Sequence, residues 1–581
     1  MPSPDLRPYY VQRPMPVIDG RSVNPYFPSL EILFPSLKEH KRGSPTLAAS
    51  ELILDVSGST ATIENLITKE ISTKPVWIRR MHLLEPVDVM SGDYILPNDG
   101  ALPTFREAWQ QTLRKVNDPY NEAYTASVAS CLTSRLAELE LSPHFCQFYG
   151  AYTGRIPEYR FNITEDLYDI ENEHWFHAGL QNGAFRIVAI DPDNQNVEGP
   201  YEPWVDEPPV SYQDYGEEEE SLEDEEGSTP SAASDTESLG PLEATDATEI
   251  EDTGEVTMSR PRLRLERSNA LGPETHSQTD SDQSMLDYAV ILKDFPIQYT
   301  VIEKCDGTMD ALMDAEHDKP TEDMIETKDA RWTAWIFQVV AALTVVQQHY
   351  DLIHNDLHTN NIVWTGTGET HLYYKIHGAA GGDRIYKVPT YGRLFKIIDY
   401  GRATFRVPQE KGLGSGPTWF PDVYAPANDA GGQYNCGDFF DKSKPKVSPN
   451  KSFDLCRMAV AMLDAVWPIP PKDAEPARIL TKEPGRSQNE TVSPIWNTLW
   501  LWLTDKEGQN ILKLPNGRER YPEFDLYCAI AATSDNAVPA QQLTLPIFEG
   551  FKVRPKDVPP ETKVWDLQAQ IKTKQHKKNP K

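Results

Sequence analysis

The stretch LIHNDLHTNNIVW, residues 352–364, sets His354 two residues before Asp356 and Asn361 five residues after it. Asn, His and Asp in a row make a poor helix interior or strand, because their side chains compete for backbone hydrogen bonds. With apolar runs on either side, the string reads as a polar loop. Further along, the apolar LFKII ends in Asp399-Tyr400-Gly401. Phosphoryl transfer from ATP needs a carboxylate beside the accepting hydroxyl and oxygen ligands that hold Mg²⁺ on the phosphates. Asp356 is the candidate base, and Asn361 and Asp399 are the candidate metal ligands. The plain alternative is a polar turn without chemistry.

Such residues need rigid elements on both sides. Before the loop, Trp332, Ile336, Val340, Leu343 and Val346 recur at helical spacing, and Asp329 could cap that helix. After it, NIVW and LFKII read as strands around a polar excursion, 365–390. The apolar SFDLCRMAVAMLDAVW reads as a central helix. Nearer the N-terminus, residues 51–86 read as two or three antiparallel strands broken at Gly58-Ser59-Thr60 and at Ser72-Thr73-Lys74-Pro75. Residues 117–141 predict a helix started by Asp118-Pro119, with Val128, Leu132, Leu136 and Leu139 on one face. HFCQFYGAY, AFRIVAI and PIQYTVIEKCDG read as further strands.

The chain has 581 residues, too many for one core, and a formal charge of −32. That balance argues against a general nucleic-acid binder. The charge is concentrated: residues 201–259 hold 20 Asp or Glu and no Lys or Arg. A like-charge block with few apolar residues cannot bury a core, so 196–285 reads as a disordered insertion. Its Ser221 and Ser234 have acidic neighbours and could be phosphorylated. The six cysteines form no CxxC pair, which predicts free thiols in a reducing compartment. No apolar leader or spanning segment is legible, so a soluble cytoplasmic protein is expected.

HNDLHTNN and DYG resemble the catalytic loop and metal-binding motif of protein kinases. SPHFCQFYG, HNDLHTNNI and IIDYGRA look most like divergent serine/threonine kinase-like proteins of large DNA viruses. The resemblance covers roughly residues 50–195 and 285–550. It implies an α+β, bilobal protein-kinase-like fold: a β-rich N-lobe at 49–195 and 286–303, the acidic insertion at 196–285, and a mostly helical C-lobe at 304–550. A Pro-rich irregular arm (1–48) and a basic tail (551–581) would flank them. It further implies ATP and Mg²⁺ as cofactors, a protein substrate, and a place in the host cytoplasm or the virion.

Residue by residue, Ile302 would then be the gatekeeper, and Glu303 and Cys305 would offer backbone groups to adenine. Asp454 would brace the loop, and His354 would pack under the DYG segment. Gly58 stands alone where the family has a glycine-rich loop. Arg79 and Arg80 stand where it has a lysine, and alternation does not choose between them. Glu122 would be the helix carboxylate that pairs with this cation. Asn355 replaces the arginine that binds an activating phosphate, which implies activity without such phosphorylation. His358 would contact the transferring phosphoryl group or be satisfied by the loop. No Ala-Pro-Glu motif closes the segment after DYG. Two rivals remain: a small-molecule (aminoglycoside- or choline-like) kinase, and a pseudokinase scaffold that works through the acidic insertion.

Overall fold

The computed structural model describes residues 8–11, 14–34, 37, 44–96, 107–190, 198–201, 287–318, 321, 327–378, 382–407, 418–424, 429–436, 440–466, 493–514, 518–522 and 524–569. It is a mixed α+β structure. Among these residues the largest sheet has seven strands. β1 (Glu51–Ser57), β2 (Thr60–Asn65) and β3 (Ile71–His82) form a meander. β4 (Phe148–Asn162) and β5 (Phe185–Ile190) reach the meander through β6 (Asp287–Glu303). β6 pairs with β5 at its start, with β3 at its end, and with β4 along nearly its whole length. The second predicted break in the meander is misplaced. The chain turns at 66–69, where Asn65 Oδ1 accepts from the Ile67 and Thr68 amides and Lys69 takes φ 63°. Pro75 runs within β3.

α1 (Glu122–Glu138) starts one turn later than predicted. Asn121 is its cap, accepting from the Ala123 amide at 3.1 Å, while Asp118 closes the preceding turn by accepting from Tyr120. Leu139 lies beyond the helix and is exposed. α1 docks on β6 through buried hydroxyls, Ser127 to Thr300 at 2.7 Å, with Gln298 donating to Ser127 at 3.1 Å.

α2 (Lys328–Tyr350) is buried on nearly all faces rather than on one stripe, and its N-cap is Thr327, not Asp329. After it, β7 (Ile362–Gly366) pairs antiparallel with β10 (Arg393–Ile397). The predicted polar excursion contains a hairpin, β8 (His371–His377) with β9 (Asp383–Pro389). Lys552–Val553 and Val564–Asp566 complete a sheet with it, so the expected tail is structured up to residue 569. α3 (Phe453–Val466) and α4 (Phe524–Thr533) follow. Apolar burial divides into a cluster on the large sheet, a larger one around α2 and α3, and a small third of Val188, Ala289 and Ile291.

The N-terminal segment is not an irregular arm. Phe27, Leu30, Leu33 and Phe34 are buried, and the Phe27 ring stacks on Tyr124 of α1 at 5.5 Å. Within the expected insertion, Glu198–Pro200 pairs with β5. The rest of it, with Ser221 and Ser234, lies outside the described residues. Among those residues no helix is long and apolar enough to cross a membrane.

Candidate functional site

Strand alternation in β3 sends Trp77 and Arg79 to one face and Arg80 to the other. Arg79 Nη1 lies 2.5 Å from Asp399 Oδ1. Arg80 grips Asp19 with both Nε and Nη2 at 2.7 Å, and this pairing holds the Asp19 carboxyl below its usual range. Of the two arginines, Arg79 alone lines a small recess of about 30 Å³ with Trp77, Thr300, Ile302, Ile398 and Asp399.

β10 delivers Asp399 to this recess. The Ile398 amide donates to the Asn361 carbonyl at 3.0 Å, which ties the segment of Asp399 to the polar loop. Asp399 and Asn355 both take φ 66°, a left-handed conformation that non-glycine residues adopt at a cost of about 1 kcal/mol. Buried bonds hold them. Asp454 at the start of α3 accepts from the His354 and Asn355 amides at 2.9–3.1 Å. His354 Nε2 donates to the Ile398 carbonyl at 2.8 Å, and its ring lies against Tyr400. Asn355 donates to the Arg402 carbonyl at 2.9 Å and accepts from the Tyr434 hydroxyl. It therefore clamps the segment after DYG from within the core.

Asn361 Nδ2 donates to the Asp356 carbonyl at 2.9 Å and lies 3.0 Å from His358 Nε2. A carbonyl only accepts, so this contact fixes which amide atom is nitrogen. His358 Nε2 is then the acceptor of the second N–H, and the ring is neutral with its proton on Nδ1. His358 thus orients Asn361, leaving the Asn361 amide oxygen as the atom suited to a hard cation.

The Asp356 carboxylate is partly exposed and accepts from the Tyr527 hydroxyl of α4 at 3.0 Å. Burial would raise its pKa, but the charges of Arg402 and Arg457 bring it below the usual carboxylate range. The Tyr527 ring lies 5.3 Å from each guanidinium. Sequence reasoning missed all three of these residues. Arg457 stands three residues after Asp454 on one helix, a spacing that could have flagged it. Tyr527 follows the loop by 171 residues and gave no local signal.

Glu122 and Gly58 lie elsewhere. Glu122 is not paired with Arg79. It opens α1 beside the end of β3, where His82 Nε2 lies 3.3 Å from it and 3.4 Å from Glu85. Gly58 occupies the exposed β1–β2 turn with φ 59° and does not line the recess. The Glu303 amide is already donated to the Gln147 carbonyl at 2.9 Å, so it is not available to adenine. The Glu303 carboxylate is held by Lys396 Nζ at 2.7 Å to both oxygens. Cys305 Sγ faces Cys146 Sγ.

Lys396 is 7% exposed, so truncating it leaves the part-buried Glu303 carboxylate without its counter-charge. Lys396→Met should destabilise the fold by about 3 kcal/mol, read by denaturant unfolding.

Burial alone would push the His82 imidazole down, yet Glu122 and Glu85 raise it well above 6.5. Burial likewise opposes Glu122, which His82 nevertheless holds at about 2. A raised histidine pKa stabilises fully below its ordinary value, and that contribution is lost as pH rises through the raised one. A lowered carboxylate pKa stabilises above its ordinary 4.5 and is lost as pH falls toward about 2. The melting-temperature deficit of His82→Ala should therefore be largest between about pH 5 and 6 and shrink as pH rises. These three donor sets lie within 4.8 Å of one another and could also ligate a cation, a place that the single charge of a protonated His82 takes when it pairs with the carboxylates.

β3 and the end of β10 thus bring Arg79 and Asp399 together in the recess, and a backbone bond ties the Asp399 segment to the polar loop, whose Asp356 and Asn361 do not themselves line it. Compared with protein-family models and with curated proteins, the chain matches none.

Proposed function

We propose that the chain is a divergent protein-kinase-like phosphotransferase that moves the γ-phosphoryl group of Mg²⁺-bound ATP to a Ser or Thr hydroxyl of a protein. The observation that carries this is the Arg79–Asp399 ion pair lining the recess, with the Asp399 segment bonded to the loop that carries Asp356 and Asn361. The two larger apolar clusters, one on the sheet and one around α2 and α3, are what a bilobal arrangement needs.

The donor set fits the implied cofactor. Asp399 and the Asn361 amide oxygen are hard oxygen ligands suited to Mg²⁺, and Arg79 is a fixed cation suited to phosphate. Bound Mg²⁺-ATP would supply the group to be transferred. Asp356, kept ionised by Arg402 and Arg457, would orient the acceptor hydroxyl and take its proton. Asp454, His354 and Asn355 would hold the loop in register. Most of the rate would come from positioning and charge neutralisation.

A second reading, a scaffold without turnover, is favoured by one observation: Glu122 pairs with His82, so Arg79 lacks the helix carboxylate that the resemblance assigns to it. The experiment that separates the two is incubation of purified full-length protein with γ-labelled ATP, Mg²⁺ and a mixed protein substrate. Label on Ser or Thr that is lost in Asp356→Asn supports the phosphotransferase. Nucleotide binding with no label on any protein supports the scaffold.

A further inference from the structure

Cys146 and Cys305 meet where two strands end. Cys146 lies just before β4 and Cys305 just after β6, and the adjoining backbone is clamped by the Glu303–Gln147 bond and by pairing of Ile302 with Phe148. Their sulfurs are 3.6 Å apart, and both are free thiols. Among the described residues this is the one thiol–thiol contact. The two differ in character. Cys305 is partly exposed, and its thiolate is favoured by the Cys146 S–H and by the Lys396 ammonium, against burial. Cys146 is 6% exposed, and its contact with Cys305 and its burial keep it a thiol. An accessible thiolate beside a buried thiol is the arrangement of an attacking and a resolving cysteine.

We propose that Cys146 and Cys305 are a redox modification site that a peroxide converts reversibly to a disulfide. The Cys305 thiolate attacks one peroxide oxygen. The O–O bond breaks, and the other oxygen leaves with the proton that Cys305 gave up. The sulfenic acid so formed is attacked by the Cys146 sulfur. The S–O bond breaks, and water leaves carrying the Cys146 proton. Two thiols lose two electrons and the peroxide gains them. The sulfurs must close to about 2 Å, a small movement for side chains at strand ends. Cys146 also lines the recess with Arg79 and Asp399, so the bond would tether that wall to the segment after β6. Its formation does not depend on the proposed activity.

In the test, full-length protein is treated with one equivalent of hydrogen peroxide. It is then alkylated under denaturing conditions and digested without reductant for mass spectrometry. The expected result is one cross-linked peptide pair joining Cys146 to Cys305, absent after dithiothreitol, with Cys131, Cys436, Cys456 and Cys528 still alkylated. In Cys146→Ser, Cys305 should persist as a sulfenic acid and take up dimedone several-fold more than in the unsubstituted chain. The proposal is overturned if both thiols remain alkylable after peroxide, if Cys305 links to another cysteine, or if dimedone labels Cys305 equally in both chains.

Discussion

Arg79→Ala should lower phosphoryl transfer by about 10²-fold, the loss of ~3 kcal/mol of charged contact in the transition state. Arg80→Ala should leave the rate within a few-fold of the unsubstituted protein. The two side chains are neighbours in sequence and identical in charge, so a difference of this size has to come from where they point. Arg79 faces Asp399 at 2.5 Å, and Arg80 faces away and holds Asp19. The Arg80 cost should instead appear in stability, below about 1 kcal/mol, because that pair is partly exposed and screened. Arg79→Lys should recover part of the lost rate, since a lysine keeps the charge but not the planar fork. Equal losses for Arg79→Ala and Arg80→Ala would point to the strand rather than to a phosphate contact.

Asp356→Asn should abolish transfer to within about 10³-fold below the starting rate while nucleotide affinity stays unchanged, the scale of losing a positioned general base. An amide keeps the shape of the carboxylate and can still meet the Tyr527 hydroxyl. It has no charge with which to take a proton from the acceptor. The loop should remain folded, because its buried bonds run through Asp454, His354 and Asn355 rather than through the Asp356 side chain. Matching circular dichroism and unfolding midpoints would check that the loss is chemical. A rate in Asp356→Asn equal to that of the unsubstituted protein would remove Asp356 from the mechanism.

What was legible in the sequence is what is encoded locally. The polar loop between α2 and β7 and the strand ending at Asp399 stand out because hydrophobic period and polar composition switch abruptly there. β6 and α3 stand out as nearly continuous apolar runs. What was not legible depends on partners far away in the chain. Alternation along β3 gives opposite faces to Arg79 and Arg80, but only Asp399 and Asp19 decide which face is which. Glu122 and His82 are separated by two helices, Pro86–Ser91 and Glu107–Val116, so neither announces the other. Tyr527, Arg402 and Arg457 surround Asp356 from three elements. The helix start was misjudged because Asp118-Pro119 and Asn121 are both good caps, and the bond to the Ala123 amide selects the second. The N-terminal segment looked irregular from its prolines, yet Phe27 and Leu30 are fully buried. Burial of a few large side chains outweighs poor local propensity.

The proposed function rests on Asp399 and Asn361 as the oxygen ligands that join Mg²⁺ to a nucleotide. The most direct test is calorimetric titration of full-length protein with ATP, with and without Mg²⁺, beside Asp399→Asn. The predicted result is binding that requires Mg²⁺ in the unsubstituted protein and is lost in a folded Asp399→Asn chain. ATP binding of equal strength without Mg²⁺, or undiminished in Asp399→Asn, would contradict it.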